Sequence, residues 1–180
     1  MQTKLKTLYK ETITSNLVKS FDYKNIHQAP KLLKIQLNRG LGLDASNSKI
    51  LQKSIDEFRI ITGQQPIVTK SKKAVAGFKI REDMPLGVTV TLRDSKMYDF
   101  LNRFVNLVLP RMRDFQGLDP SGFDKHGNYN LALKEQLIFP EIDFDQVDQI
   151  RGLNLTFVTS AKNREEGYAL LKEFGMPFRT

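Results

Sequence analysis

GVTVTLR, residues 87–93, is the stretch that decides the fold. Val88, Val90 and Leu92 alternate with Thr89, Thr91 and Arg93, the period of two that marks a strand with one buried and one wet face. Just after it, Asp94 or Ser95 offers a cap to a helix carrying Met97, Phe100, Leu101, Phe104, Leu107 and Val108, closed by Pro110. Upstream, Leu33, Ile35 and Leu37 alternate with Lys34, Gln36 and Asn38 in a second strand ended by the turn at residues 39–42. Asn47 or Ser48 caps a helix with Ile50, Leu51, Ile55, Phe58 and Ile61, stopped by Gly63. Ile67 and Val68 begin a strand that runs into a basic stretch.

Further out, residues 3–20 place Leu5, Leu8, Tyr9, Ile13 and Leu17 on one helical face. A polar connection at residues 110–130 leads to a strand pattern from Leu131 to Phe139. Leu153, Leu155 and Phe157 alternate with Asn154, Thr156 and Val158 in a last strand. Asn163 with Glu166 resembles a capping box that starts a final helix, ended at Gly175 before Pro177. Helices and strands mix without regular βαβ alternation, which predicts an α+β fold with a largely antiparallel sheet packed on helices. The 180 residues suffice for a single domain, with a projecting loop at about residues 69–86.

Composition narrows the function. The chain carries 28 Lys and Arg against 20 Asp and Glu, for a net charge of +8, which points to a polyanionic partner. The absence of Cys excludes disulfides, thiolate metal sites and Cys nucleophiles, and fits a reducing compartment. No apolar run approaches the roughly 20 residues of a membrane helix. The N-terminal stretch MQTKLKTLYKETI lacks the apolar core of a signal peptide, and Glu11 within it argues against a cleaved transit peptide.

Two features suit RNA. TKSKKAVAGFKIR, residues 69–81, carries Lys70, Lys72, Lys73, Lys79 and Arg81, no acid, and between them Val75, Gly77 and Phe78. Cations for phosphates, a compliant Ala-Gly tip and one ring for stacking or sugar contact fit a loop that reaches RNA, ordering when RNA is present. The bland alternative is a mobile, solubilising lysine loop. Second, the outward positions of the three clearest strands hold no acid: Lys34, Gln36, Asn38; Thr89, Thr91, Arg93; Asn154, Thr156, Val158 and Ser160. Such groups donate to phosphates and 2′-hydroxyls, and an extended face can match the shallow minor groove of A-form RNA. The competing explanation is that strands simply favour Thr.

The search for catalysis returns little. Glu141, Asp143, Asp145 and Asp148 cluster without an intervening cation and could hold magnesium in an RNA-processing enzyme, although no Gly-centred calcium loop is present. The alternative is a solvated face or a set of ion-pair partners. Asp119, Ser121, Asp124 and His126 supply the residue types of a triad but lie too close in sequence, since triad members converge from separate elements. His27 and His126 therefore read as structural residues. No helix shows the dense basic face of a DNA-groove reader. No cofactor is expected.

The motifs KAVAGFKIR, VTLR, LPRMRDFQGL, FDKHGNYN, EQLIFPEIDFD and RGLNLTFVTSAK, in this order, resemble the bacterial-type large-subunit ribosomal protein five family, which binds 5S ribosomal RNA. YKNIHQAPKL and LLKEFGMPFR look closest to its cyanobacterial and plastid branch. The resemblance implies a concave antiparallel sheet backed by helices, a non-enzymatic role in the central protuberance of the large subunit, and no membrane association. By motif it implies 5S RNA contacts at Lys34, Asn38, Gln64, Thr91 and Arg93, and transfer-RNA contacts at the peptidyl site from Lys72, Lys73, Val75, Gly77, Phe78 and Lys79. It also implies large-subunit RNA, neighbouring proteins of the central protuberance and a protein across the intersubunit bridge as partners. A plastid (chloroplast) ribosome is the favoured location and a bacterial one the alternative. The chain departs from the family at Gln116, Lys125 and His126, and at Arg39, where many members have Met.

Overall fold

The structure is a computed structural model and describes residues 4–144 and 147–179. Helix α1 (Lys4–Leu8) passes through a π turn at Tyr9–Ile13 into α2 (Thr14–Phe21). Then come β1 (Leu32–Gly40), α3 (Ser48–Thr62), β2 (Ile67–Lys70), β3 (Pro85–Leu92) and α4 (Asp94–Arg103), which continues as a π turn at Phe104–Val108. The chain ends with β4 (Tyr129–Leu133), β5 (Leu153–Thr159) and α5 (Arg164–Glu173). The strands form one five-stranded sheet in the order β2-β3-β1-β5-β4. It is antiparallel, and with the helices it gives the expected α+β class.

The chain divides into two compact units: Met1–Ile35, Arg93–Leu131 and Thr156–Thr180 in one, Gln36–Leu92 and Ala132–Leu155 in the other. In the first, Ile13 and Leu17 of the N-terminal helical run are buried, as are Phe100 and Leu101 of α4 and Leu170 and Leu171 of α5. Phe104 stacks on Phe100 and tilts against Phe157, with centroids 5.9 and 5.7 Å away. The polar connection is pinned rather than loose. Leu118 exchanges backbone hydrogen bonds with the C-terminal segment, its N–H on Pro177 O and its carbonyl under Arg179 N–H. Gly117 permits this at φ 102°, since a Cβ there would lie 2.8 Å from Arg179 N.

In the second unit, Val88, Val90 and Leu92 of β3 are buried with Leu37 of β1 and Phe58 and Ile61 of α3, the face that the alternation predicts. Asn47 caps α3 by accepting from Lys49 N, and Gly63 closes it at φ 64°.

Four expectations need correction. The strand at residues 131–139 is instead β4 at Tyr129–Leu133 followed by a 3-10 turn at Gln136–Ile138. Buried Gln136 fixes that turn, donating to Gln149 O at 2.8 Å and accepting from Arg151 N at 2.6 Å. At the start of β1, Leu32 is the buried residue and Leu33 is exposed. Helix α4 has no side-chain cap, and Asp94 sits inside its first turn at φ 50°. The capping box of α5 is replaced by a single bond one residue further out. Glu166 accepts from Lys162 N at 2.8 Å, but Asn163 makes no cap bond.

Candidate nucleic-acid interface

The second unit carries both features that suit RNA. On β1, Gln36 is half-buried and Asn38 exposed; on β3, Thr89 and Thr91 are half-buried. They alternate with the core residues Leu37, Val88, Val90 and Leu92 and so occupy the opposite side of the strands. Thr89 Oγ1 donates to Leu37 O at 3.0 Å and accepts from Gln36 Nε2 at 3.5 Å, tying the two strands on that side. Gln64 follows the Gly63 cap and donates through Nε2 to Thr91 O at 3.1 Å, so the end of α3 is moored beside β3. The structure thus brings Gln64 to Thr91 within a strand face that also bears Asn38. Lys34, half-buried on β1, and exposed Arg93, just after β3, fall in the first unit.

The basic stretch is a closed hairpin, not an open tip. The β2–β3 ladder shifts register between Thr69 and Lys70. Beyond it, Val75 N–H donates to Ile80 O and Ile80 N–H to Val75 O, making an isolated antiparallel bridge. A 3-10 turn at Ala76–Phe78 and a left-handed Lys79, φ 55°, link the two. Lys72, Lys73, Gly77 and Lys79 are exposed, and Phe78 is 70% and Val75 42% exposed. Apolar groups left in water amid cations form a surface suited to a charged, stacking partner.

Behind the strand face lies a residue whose environment the sequence does not announce. Arg39 of β1 is 1% exposed. Its Nη1 donates to the Glu57 carboxylate of α3, its Nε donates to Gly152 O at 3.3 Å, and its guanidinium carbon lies 5.1 Å from the centroid of the Phe58 ring. The signal available was parity: Arg39 shares the side of Ile35 and Leu37.

Among the described residues the acidic run does not assemble a centre. Asp148 accepts from both terminal nitrogens of Arg151, at 3.0 and 3.3 Å, and this hydrogen bonding, with the guanidinium charge, holds its carboxyl below the usual range. Asp145 lies outside the described residues. Among the described residues no group of three or more His, Asp or Glu side chains could hold a metal ion. Asp124 and His126 form a loop brace, Asp124 Oδ1 accepting from the backbone N–H groups of His126 and Asn128. No helix among the described residues is long and apolar enough to cross a membrane.

An antiparallel strand face built from amides and hydroxyls, beside an exposed cationic hairpin, defines the class: a basic α+β protein shaped to meet a polyanion. Two family profiles match, ribosomal protein L5 over residues 25–81 and the ribosomal L5P family C-terminus over residues 85–178. The large ribosomal subunit protein uL5c of Heterosigma akashiwo is 62% identical over 179 residues, covering 99% of both chains. That of Gracilaria tenuistipitata var. liui is 63% identical over 178 residues, again covering 99% of both. The large ribosomal subunit protein uL5 of Synechocystis sp. is 59% identical over 180 residues, the full length of each. The chain belongs to the ribosomal protein L5 family and is a structural, non-enzymatic constituent of the large ribosomal subunit.

Proposed function

We propose that this chain anchors 5S ribosomal RNA in the central protuberance and presents its basic hairpin to the elbow of transfer RNA in the peptidyl site. The observation that carries it is the acid-free face of Gln36, Asn38, Thr89 and Thr91, with Gln64 moored to Thr91. Such a face binds by donating to phosphate oxygens and 2′-hydroxyls, which RNA offers and DNA in part lacks. Lys34, on β1, and Arg93, the residue after β3, are the cations that the family resemblance adds. The hairpin supplies Lys72, Lys73 and Lys79 for phosphates, with Val75, Gly77 and Phe78 as the contact tip. Large-subunit RNA and neighbouring proteins, one across the intersubunit bridge, complete the surroundings, and a plastid ribosome is the setting that fits best.

The test is a division of labour. Asn38→Ala with Thr91→Ala should weaken 5S RNA binding in a filter or gel assay. Deleting residues 72–79 should leave that binding nearly intact while disturbing the contact with transfer RNA. Loss of 5S binding on loop deletion, with none from the strand changes, would refute the assignment.

A further inference from the structure

The base of the basic hairpin is closed by one buried serine. Ser71 is 8% exposed, while residues 72–79 are all exposed. Its N–H donates to Met84 O at 2.9 Å, its carbonyl accepts from Asp83 N at 3.1 Å, and its hydroxyl donates to Arg81 O. The β2–β3 ladder stops here. The last pair sets Lys70 against Pro85, which has no N–H to donate, after a register shift at Thr69. Ser71 thus supplies the rung that the ladder cannot. The next closure is the Val75–Ile80 bridge, and Lys72 and Lys73 on one arm and Arg81 on the other lie between the two. Residues 70–84 carry five cations, Lys70, Lys72, Lys73, Lys79 and Arg81, against two acids, Glu82 and Asp83, so like charges predominate, and the return arm turns through Asp83 at φ 59° without a glycine.

We infer that Ser71 is a positioning residue, whose hydroxyl holds the two arms together against this excess of like charge so that the cations meet phosphates already assembled. The inference rests on the reading that the hairpin meets transfer RNA. Binding to a preassembled set avoids the ordering cost that an open loop would incur. The contribution is geometric, so it changes affinity without changing the number of phosphates neutralised.

The test uses large subunits carrying Ser71→Ala, Ser71→Thr or the pair Lys72→Ala with Lys79→Ala, and deacylated transfer RNA bound over a potassium chloride series. Ser71→Ala should weaken binding about three- to tenfold, the worth of one hydrogen bond, with an unchanged salt slope. Ser71→Thr should rescue it, and the lysine pair should flatten the slope by about 2. Amide exchange in the free chain should quicken at Asp83 and Val75 in Ser71→Ala and stay unchanged at Val90. Unchanged affinity and exchange in Ser71→Ala, with a weakened lysine variant, would overturn the clamp and spare the hairpin's role. No effect from the lysine pair would overturn both.

Discussion

Arg39 shows how much a single side chain can depend on its neighbours. Burying a guanidinium is tolerable only because the Glu57 carboxylate, Gly152 O and the Phe58 ring surround it. Arg39→Met alone would strand the Glu57 charge and should cost about 3–5 kcal/mol in urea unfolding, while Arg39→Met with Glu57→Leu should recover most of it. An unaltered stability in the single variant would show that the pair contributes nothing. Met is the residue that the family resemblance led one to expect at 39, and the apolar double variant is its natural counterpart. A second residue-scale expectation concerns Asp124. Burial pulls its pKa up, but donation by the Asn128 side chain and by the N–H groups of Asn128 and His126 outweighs burial and holds it below the ordinary value. A depressed pKa gives stability that is present above the unfolded value and lost as pH falls through the folded one. Asp124→Asn should therefore flatten the acid limb of stability below about pH 4, read from unfolding midpoints across a pH series. Position was legible for Asp124, read in a Gly-containing polar connection, but not for Arg39, which was read in the turn after β1 and instead lies within the strand on its core side. Partners were not legible, because Glu57 and Gly152 reach Arg39 only through tertiary folding.

At the scale of elements, legibility tracked how regular the pattern was. The strict alternation of β3 and the spacing of α3 are local properties, and both elements appear where they were read. Residues 131–139 failed because Leu137, Ile138 and Phe139 are consecutive apolar residues, a run that periodicity cannot assign, and because Gln136 bonds to residues more than ten positions away. Helix starts divide in the same way. Asn47 has its cap bond to Lys49 N, whereas Asn163 has none and the end of α5 is held through Glu166. Asn47→Ala should cost about 1 kcal/mol and Asn163→Ala a few tenths at most, compared by thermal melting of the two variants. Equal losses would mean that residue type, not the bond observed, sets the worth of a cap. The basic stretch was legible as a loop but not as a closed hairpin, since its closure depends on the backbone bonds of Ser71 with Asp83 and Met84 and on its hydroxyl bond to Arg81 O, which no local pattern encodes.

For the molecule as a whole, the net charge of +8 announces a polyanion but not how the charge is divided between contacts. The residues proposed for 5S RNA include the neutral donors Asn38, Gln64 and Thr91 with the cations Lys34 and Arg93, whereas the hairpin is dense in lysine. Counterion release depends on phosphates neutralised, not on hydrogen bonds made, so the two contacts should differ in salt response even where affinities are similar. For 5S RNA, the plot of log affinity against log salt should have a shallow slope. Lys34→Ala should flatten it by about 1, and Asn38→Ala should lower affinity at every salt concentration without changing it. Deleting residues 72–79 should leave that slope where it was, because those lysines do not face 5S RNA in the proposed arrangement. If the deletion flattened the 5S slope by two or more, the hairpin cations would belong to the resident RNA, and the assignment of the loop to transfer RNA would fall while the family membership stood.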